Sequence, residues 1–291
     1  MFQIYSTIRY GILHLFLTFL QEMELTFQEF QQKGGVILSL PRYEYRFQHT
    51  RHHLQQVGFQ NIQFYKGIDG FVDDLSGIAI QLGIPGIYTE DIAHRPGNIA
   101  CTLSHISLWK KIIDDSLPYL LIFEDDALPH PNFGEVGPLW WDQTPGDLDM
   151  ILLGNQMNPT LQELYDPTKL IVRHPAYCLH AYIVTQKGAQ KLMQLVKSQS
   201  AMKMNDAQVM DWMSQGLLNF VCWNGAWIQN KGYDTFTQRT PLQAALDKMD
   251  MIVEKRDTGL IYQNFCLGHT LYQKDPIFNI VLYNSEQKSS E

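Results

Sequence analysis

Short uninterrupted apolar runs alternate along the middle of this chain with longer stretches in which apolar residues return every three or four positions. The first pattern is that of strands buried on both faces, the second that of amphipathic helices. Gly34-Gly35 opens a strand over Val36–Leu40, which Pro41 stops, and a helix is predicted from Arg42 to Val57 with Gly58 at its C′ position. A second strand runs from Ile62 to Lys66. Residues 71–97, rich in Gly, Pro and Asp, read as irregular. Asn98 is placed to cap a helix whose apolar positions Ile99, Leu103, Ile106, Trp109 and Ile113 keep helical spacing. Tyr119–Phe123 is the next strand, followed by an irregular stretch that holds Trp140-Trp141. Leu148–Leu153 reads as a buried strand, and Leu170–Val172 with Tyr177–Val184 as a strand pair. Thr185 caps a helix over Gln186–Val196, Asn205-Asp206 opens another to Met213, and Phe220–Ile228 is an aromatic strand. Strands alternating with helices predict an α/β domain with a mixed, mostly parallel sheet flanked by helices.

Three stretches are expected in the chain: an N-terminal helical extension (1–33), the main domain (34–235) and a C-terminal appendage with a polar tail (236–291). With 45% hydrophobic residues in a chain of 291, a sizeable core is available. A formal net charge of -8 argues against nucleic acid as a partner, because a backbone-binding protein needs a basic face. The four cysteines, Cys101, Cys178, Cys222 and Cys266, stand singly, with no close pair of the zinc or redox kind, so free thiols in a reducing compartment are expected. No apolar run reaches the length of a membrane span. Residues 10–30 read as an amphipathic helix that packs on the domain or lies on a membrane surface. The small residues of a signal cleavage site are missing after it, and Met23 is a second candidate start. The expected location is the cytoplasm, with a peripheral position at the inner face of the membrane if that helix binds lipid.

Chemistry concentrates at one point. The strand ending in Phe123 runs directly into Glu124, Asp125 and Asp126, and Pro129 and Pro131 forbid a simple continuation. Three adjacent carboxylates repel one another, and a divalent cation with a taste for hard oxygen ligands, Mn²⁺ or Mg²⁺, relieves that repulsion. Ligands of open α/β sheets bind outside the carboxyl ends of the strands, which is where these acids fall. The competing reading is a solvated acidic turn.

Several segments, in order, resemble glycosyltransferase family 25, which includes bacterial lipooligosaccharide galactosyltransferases and collagen galactosyltransferases. They are Val36-Ile37-Leu38-Ser39-Leu40-Pro41-Arg42 with Arg46 downstream, and Phe64 to Gly70. They continue with Pro96-Gly97-Asn98-Ile99-Ala100-Cys101-Thr102-Leu103-Ser104-His105 with Trp109-Lys110, the acidic strand Tyr119–Ala127, Ile151–Gly154, and Ala181–Val184 leading to Leu192. The likeness covers roughly residues 35–230; residues 1–33, 71–95 and those after 230 match nothing in it. It implies a GT-A-type, Rossmann-like domain that moves a hexose, galactose from UDP-galactose, with inversion, onto a saccharide or glycolipid acceptor of lipopolysaccharide or another surface glycan.

The resemblance also implies roles. Glu124 and Asp126 are the metal pair, Asp126 being the strongest candidate for direct coordination, while Glu124 and Asp125 contact the metal, its waters or the ribose. Ser39, Leu40 and Arg46 lie where such folds receive the nucleotide. Arg46 suits a diphosphate through its planar guanidinium, or is a surface arginine of an amphipathic helix. Asp69 is either a ribose or base acceptor or a turn former beside Gly70. Ser104 and His105, polar in an apolar helix, are expected beside the nucleotide or the acids, although a Ser bonded back to its helix and a core His are the plain alternatives. An inverting transfer needs a general base for the acceptor hydroxyl. Asp206 is the first candidate, against service as an N-cap, and Asp211 the second. Trp223 and Trp227 are candidate sugar-stacking platforms, although core packing is the more common role for Trp. Two other classes compete. A receiver domain of a signalling protein also ends a strand in paired acids, but Gly154-Asn155 stands where its phosphoacceptor Asp belongs. A catalytically inactive family member serving as a sugar-binding scaffold is the closer rival.

Overall fold

The computed structural model describes residues 25–84, 95–130, 132–154, 156–157, 169–199 and 203–229. The predictions for residues 1–24 and 236–291, and for Cys266, lie outside the described residues. In chain order the elements are α1 (Phe27–Lys33), β1 (Val36–Ser39), a 3-10 turn (Pro41–Tyr43), α2 (Glu44–Gln56), β2 (Gln63–Lys66), α3 (Leu75–Gln81), α4 (Pro96–Asp114), β3 (Tyr119–Glu124) and β4 (Ala127–Pro129). They continue with α5 (Phe133–Trp141), β5 (Met150–Gly154), β6 (Gln156–Met157), β7 (Ile171–Val172), β8 (Ala176–Tyr177), β9 (Ala181–Thr185), α6 (Gln186–Ser198), α7 (Asn205–Ser214) and β10 (Phe220–Gln229).

Eight strands form the main sheet in the order β2-β1-β3-β9-β5-β10-β4, with β7 joined to β10, and β6 pairs with β8 separately. The fold is α/β with helices on both faces. The expected parallel majority is corrected: β1 runs parallel to β2 and β3, and β5 to β10, but β9 is antiparallel to both β3 and β5, and β4 and β7 are antiparallel to β10. Successive strand residues point to opposite faces, and the two cores divide accordingly. Val36, Leu38, Ile122, Leu152 and Tyr182 face α3, α4, α6 and α7, whereas Ile37, Leu121, Phe123, Ile151 and Ile183 face α1, α2 and α5. That is why the strands read as continuous apolar runs rather than as alternating ones.

Several elements differ from the pattern-based reading. Leu75–Gln81 is a helix capped by Asp74, whose carboxylate accepts from Gly77 N, within the stretch expected to be irregular. Phe133–Trp141 is a helix despite Pro138, because its aromatic residues lock into the second core. Helix α4 begins at Pro96, so Asn98 lies inside it rather than capping it. The strand pair expected over residues 170–184 does not form: β7 joins β10, β8 joins β6, and β9 enters the centre of the sheet. Thr185 does cap α6, accepting from Gly188 N at 3.0 Å. Helix α1 is built into the domain rather than appended to it. Thr26 and Glu29 form a capping box at its start, Phe30 is fully buried, and Phe27 meets Phe133 and Trp141 edge-on. Among the described residues, no helix is long and apolar enough to cross a membrane.

Candidate active site

Strand β3 delivers Glu124 to the carboxyl edge of the sheet, Asp125 and Asp126 make the turn, and β4 leaves sideways to pair with the end of β10. The acidic turn is thereby strung between two walls. On one side Ser39, at the end of β1, donates its hydroxyl to Asp125 Oδ2 at 2.5 Å. Arg46 of α2 pairs with Asp125 Oδ1 and stands 3.6 Å from Asp126 Oδ2, and Thr50, one helical turn on, donates to the Asp125 carbonyl at 2.7 Å. On the other side Gln229, at the end of β10, donates to Asp126 Oδ2 at 3.2 Å. Asp126 Oδ1 is buried with no hydrogen-bond partner among the described residues.

Glu124 is held from behind. Its backbone N–H donates to the His180 carbonyl at 2.7 Å, and His105 Nε2 lies 2.9 Å from its Oε1. The carboxylate keeps 22% of its side-chain surface exposed while His105 has none, so the acid faces the site and the imidazole stands behind it. Gly154 makes room for this arrangement, since a Cβ there would fall 2.1 Å from His180 Nε2. Cys101 Sγ completes a Cys–His–Glu group whose ligand atoms all lie within 4.8 Å of one another.

The electrostatics follow from crowding. Burial pushes Asp126 up to about 8, helped by the charges of Glu124 and Asp125 and only partly opposed by Arg46 and Gln229. Asp125 is also raised by burial, against the pull of Arg46 and the Ser39 hydroxyl. Glu124 goes the other way. Burial pushes it up, but the hydrogen bond from His105, with the fields of His180 and Arg46, holds it below the usual carboxylate range. Burial and then the fields of Glu124, Asp206, Asp126 and Asp125 raise the Cys101 thiol well above its ordinary value. A protonated thiol is a poor metal ligand. The arrangement is a knot of carboxylates short of positive charge, with an oxygen unspent on Asp126. That donor set suits a hard divalent cation.

The remaining predicted residues divide. Asp69 is bound in a fork by Arg42, with Nη2 3.1 Å from Oδ1 and Nη1 on Oδ2, and accepts from Phe71 N at 3.0 Å, so it shapes the turn after β2. Ser104 is spent inside the fold, accepting from Ile68 N at 2.8 Å and donating to the Ala100 carbonyl at 2.7 Å. Leu40 lines the same edge beside Gly67, whose N–H donates to the Ser39 carbonyl. Asp206, in the first turn of α7, is half-buried and belongs to the group of acids acting on Cys101. Asp211 is turned outward and ion-paired with the exposed Lys203. Trp223 and Trp227 are corrected from sugar platforms to core: both are buried among Phe30, Phe59, Phe123 and Phe133. Sequence reasoning missed Thr50 and Gln229, whose partners lie 75 and 103 positions away, and Tyr182, an apolar-looking strand residue. It also missed Asn205, next to Asp206, whose amide oxygen and nitrogen are both buried with no partner among the described residues.

A family model described as glycosyltransferase family 25 (LPS biosynthesis protein) matches residues 33–210, more than half of the chain. The chain is also similar to the human protein called inactive glycosyltransferase 25 family member 3, at 33% identity over 43% of this chain and 23% of that one. It is 29% identical to human procollagen galactosyltransferase 2 over 45% of this chain and 22% of that protein. A glycosyltransferase 25 family member of Drosophila pseudoobscura pseudoobscura is 27% identical over 54% of this chain and 26% of its own length. The matches thus span about a quarter of the length of these curated relatives.

Proposed function

The chain belongs to glycosyltransferase family 25, and we propose that it is an active enzyme that transfers a hexose, galactose, from a UDP-sugar to a saccharide acceptor with inversion and with the help of Mn²⁺ or Mg²⁺. The acceptor we infer is a lipopolysaccharide or related surface glycan. One observation carries the reading: the acidic turn collects three carboxylates, two of them raised by burial, and leaves Asp126 Oδ1 without a partner among the described residues. An unpaired buried carboxylate oxygen is costly, and a cation held by Glu124 and Asp126 relieves the cost.

Bound there, a divalent ion would supply Lewis-acid stabilisation of the diphosphate leaving group. The chain's own residues do the rest. Ser39, Arg46 and Thr50 fix Asp125 and keep the turn in one shape. The Arg46 guanidinium already serves these acids, so its expected grip on a diphosphate is at most shared with them. The loop after β2, braced by Arg42 and Asp69, is the candidate seat of the nucleoside. Asp206 would take the proton of the attacking acceptor hydroxyl, and the buried amide of Asn205 beside it is suited to a sugar hydroxyl, which can both donate and accept.

A second reading is favoured by a specific finding: one relative at 33% identity is named inactive. Against it stand the complete acidic turn and Asp206. Titration calorimetry with UDP-hexoses, with and without Mn²⁺, separates the two readings. The active enzyme binds UDP-galactose only with the metal and slowly hydrolyses it. Asp126→Asn should weaken both by about 100-fold or more, the scale of losing a metal's stabilisation of charge. Binding by neither the native chain nor the variant would favour the scaffold.

A further inference from the structure

Behind Glu124 lies a chain of buried groups that the function above does not use. Trp109 Nε1 lies 3.2 Å from the Tyr182 hydroxyl, that hydroxyl 2.7 Å from His105 Nδ1, and His105 Nε2 2.9 Å from Glu124 Oε1. Trp109, Tyr182 and His105 are fully buried. Proton counting fixes every bond. The indole N–H can only donate, so the Tyr182 oxygen accepts from it. The Tyr182 proton must then go elsewhere, and His105 Nδ1 is the acceptor within reach. Nδ1 therefore carries a lone pair, the proton of the neutral imidazole sits on Nε2, and it points at Glu124.

We propose that His105, locked in its Nε2–H tautomer by Tyr182 and Trp109, is a positioning residue that ties down one oxygen of Glu124 and leaves the other for the cation. This rests on the metal-dependent reading of the acidic turn. The alternative use of His105, as a ligand with Cys101 and Glu124, demands a lone pair on Nε2 and a proton on Nδ1. Two donors would then converge on the Tyr182 oxygen, and its own proton would have no acceptor. The relay therefore selects against a thiophilic Cys–His–Glu centre and for hard oxygen ligands. The fold supports the relay closely: Tyr182 sits on β9, opposite Ile122 on β3 and Leu152 on β5, and two residues before it His180 holds the Glu124 backbone.

The test has two parts. In ¹⁵N-histidine-labelled native protein, the His105 signal, identified by its loss in His105→Gln, should show a protonated Nε2 and a bare Nδ1, and should keep both when the diamagnetic ions Mg²⁺ or Zn²⁺ are added. A protonated Nδ1, or metal-induced change to it, overturns the proposal. Mn²⁺ affinity, read by electron paramagnetic resonance, gives the second part. Gln can place its amide N–H where Nε2–H stood, so His105→Gln should stay within about threefold of native, while His105→Asn, too short to reach Glu124, should lose about 10- to 100-fold. Tyr182→Phe should lose affinity in the same direction. Equal losses in the Gln and Asn variants would mean that His105 only fills space. If the native protein binds no Mn²⁺, the metal-dependent function fails, and the proposal fails with it only as regards the cation; the tautomer is still decided by the spectrum.

Discussion

Asp206 and Asp211 share helix α7, yet only Asp206 acts on the group around Cys101, while Asp211 is bound outward to Lys203. Asp206→Asn should therefore lower transfer by about 100-fold or more, the scale of losing a general base, while UDP-sugar affinity measured by calorimetry stays near native. Asp211→Asn should change turnover by less than about twofold, since an exposed ion pair contributes about 0–1 kcal/mol. A dead Asp211 variant with a healthy Asp206 variant would reverse the roles. At this scale the acids of the turn and the interest of His105 were legible, because charge after a buried strand is rare and visible. Tyr182, Thr50 and Gln229 were not. Each looks ordinary in sequence, and each matters through a partner on a distant element. The two tryptophans stayed ambiguous for the opposite reason: an aromatic ring suits a sugar as well as a core, its commoner place, and only packing tells them apart.

Elements were legible where their period was long and clean, as in β1, α2, α4, β3, β5 and α6. They were misread where local signals competed with tertiary packing. The stretch around Trp140-Trp141 reads as irregular, yet its buried aromatic residues sustain a helix through Pro138, and the Gly- and Asp-rich stretch after β2 hid the capped helix α3. Helix α1 is the instructive case. Its sequence is mostly polar, but Phe30 is fully buried, stacked on Trp141 at 4.5 Å and edge-on to Phe59. Phe30→Ala should destabilise the protein by about 3–5 kcal/mol, as large-to-small changes of buried aromatics do. Chemical denaturation followed by tryptophan fluorescence measures it. A loss below about 1 kcal/mol would show α1 to be a loosely attached appendage after all.

For the molecule as a whole, the α/β class was legible from alternating strands and helices, but the sheet direction was not, because an apolar run does not say which way its strand points. The buried acids also give the domain a pH signature. In metal-free protein Asp126 titrates near 8 rather than at its ordinary 3.8, mainly through burial. Between those values the folded chain holds a proton that the unfolded chain has released, so stability falls as pH rises across the window. Glu124, held below its ordinary value of 4.5, adds the reverse trend only toward acid: its contribution is lost as pH falls. Thermal melts in chelator should show the melting temperature dropping from mildly acidic pH toward about 8. Mn²⁺ should raise it most at the alkaline end, and a flat profile with no effect of Mn²⁺ would count against an uncompensated acid cluster. The placement of β9 carries one more consequence. It lies between β3 and β5 but follows both in the chain, with β5 ending at Gly154 and β9 beginning at Ala181. A ribosome that has released the chain only as far as β5 has made the three-stranded piece β2-β1-β3 and a lone β5, because β10, the other neighbour of β5, follows β9; the open edge of β3 and both edges of β5 then have nothing to join them. The acidic turn cannot take its final form then either, because the His180 carbonyl and Tyr182 arrive with β9. Synthesis at about 5–20 residues per second leaves those edges bare for seconds, so the slot for β9 is a place where this protein is exposed to mispairing at birth.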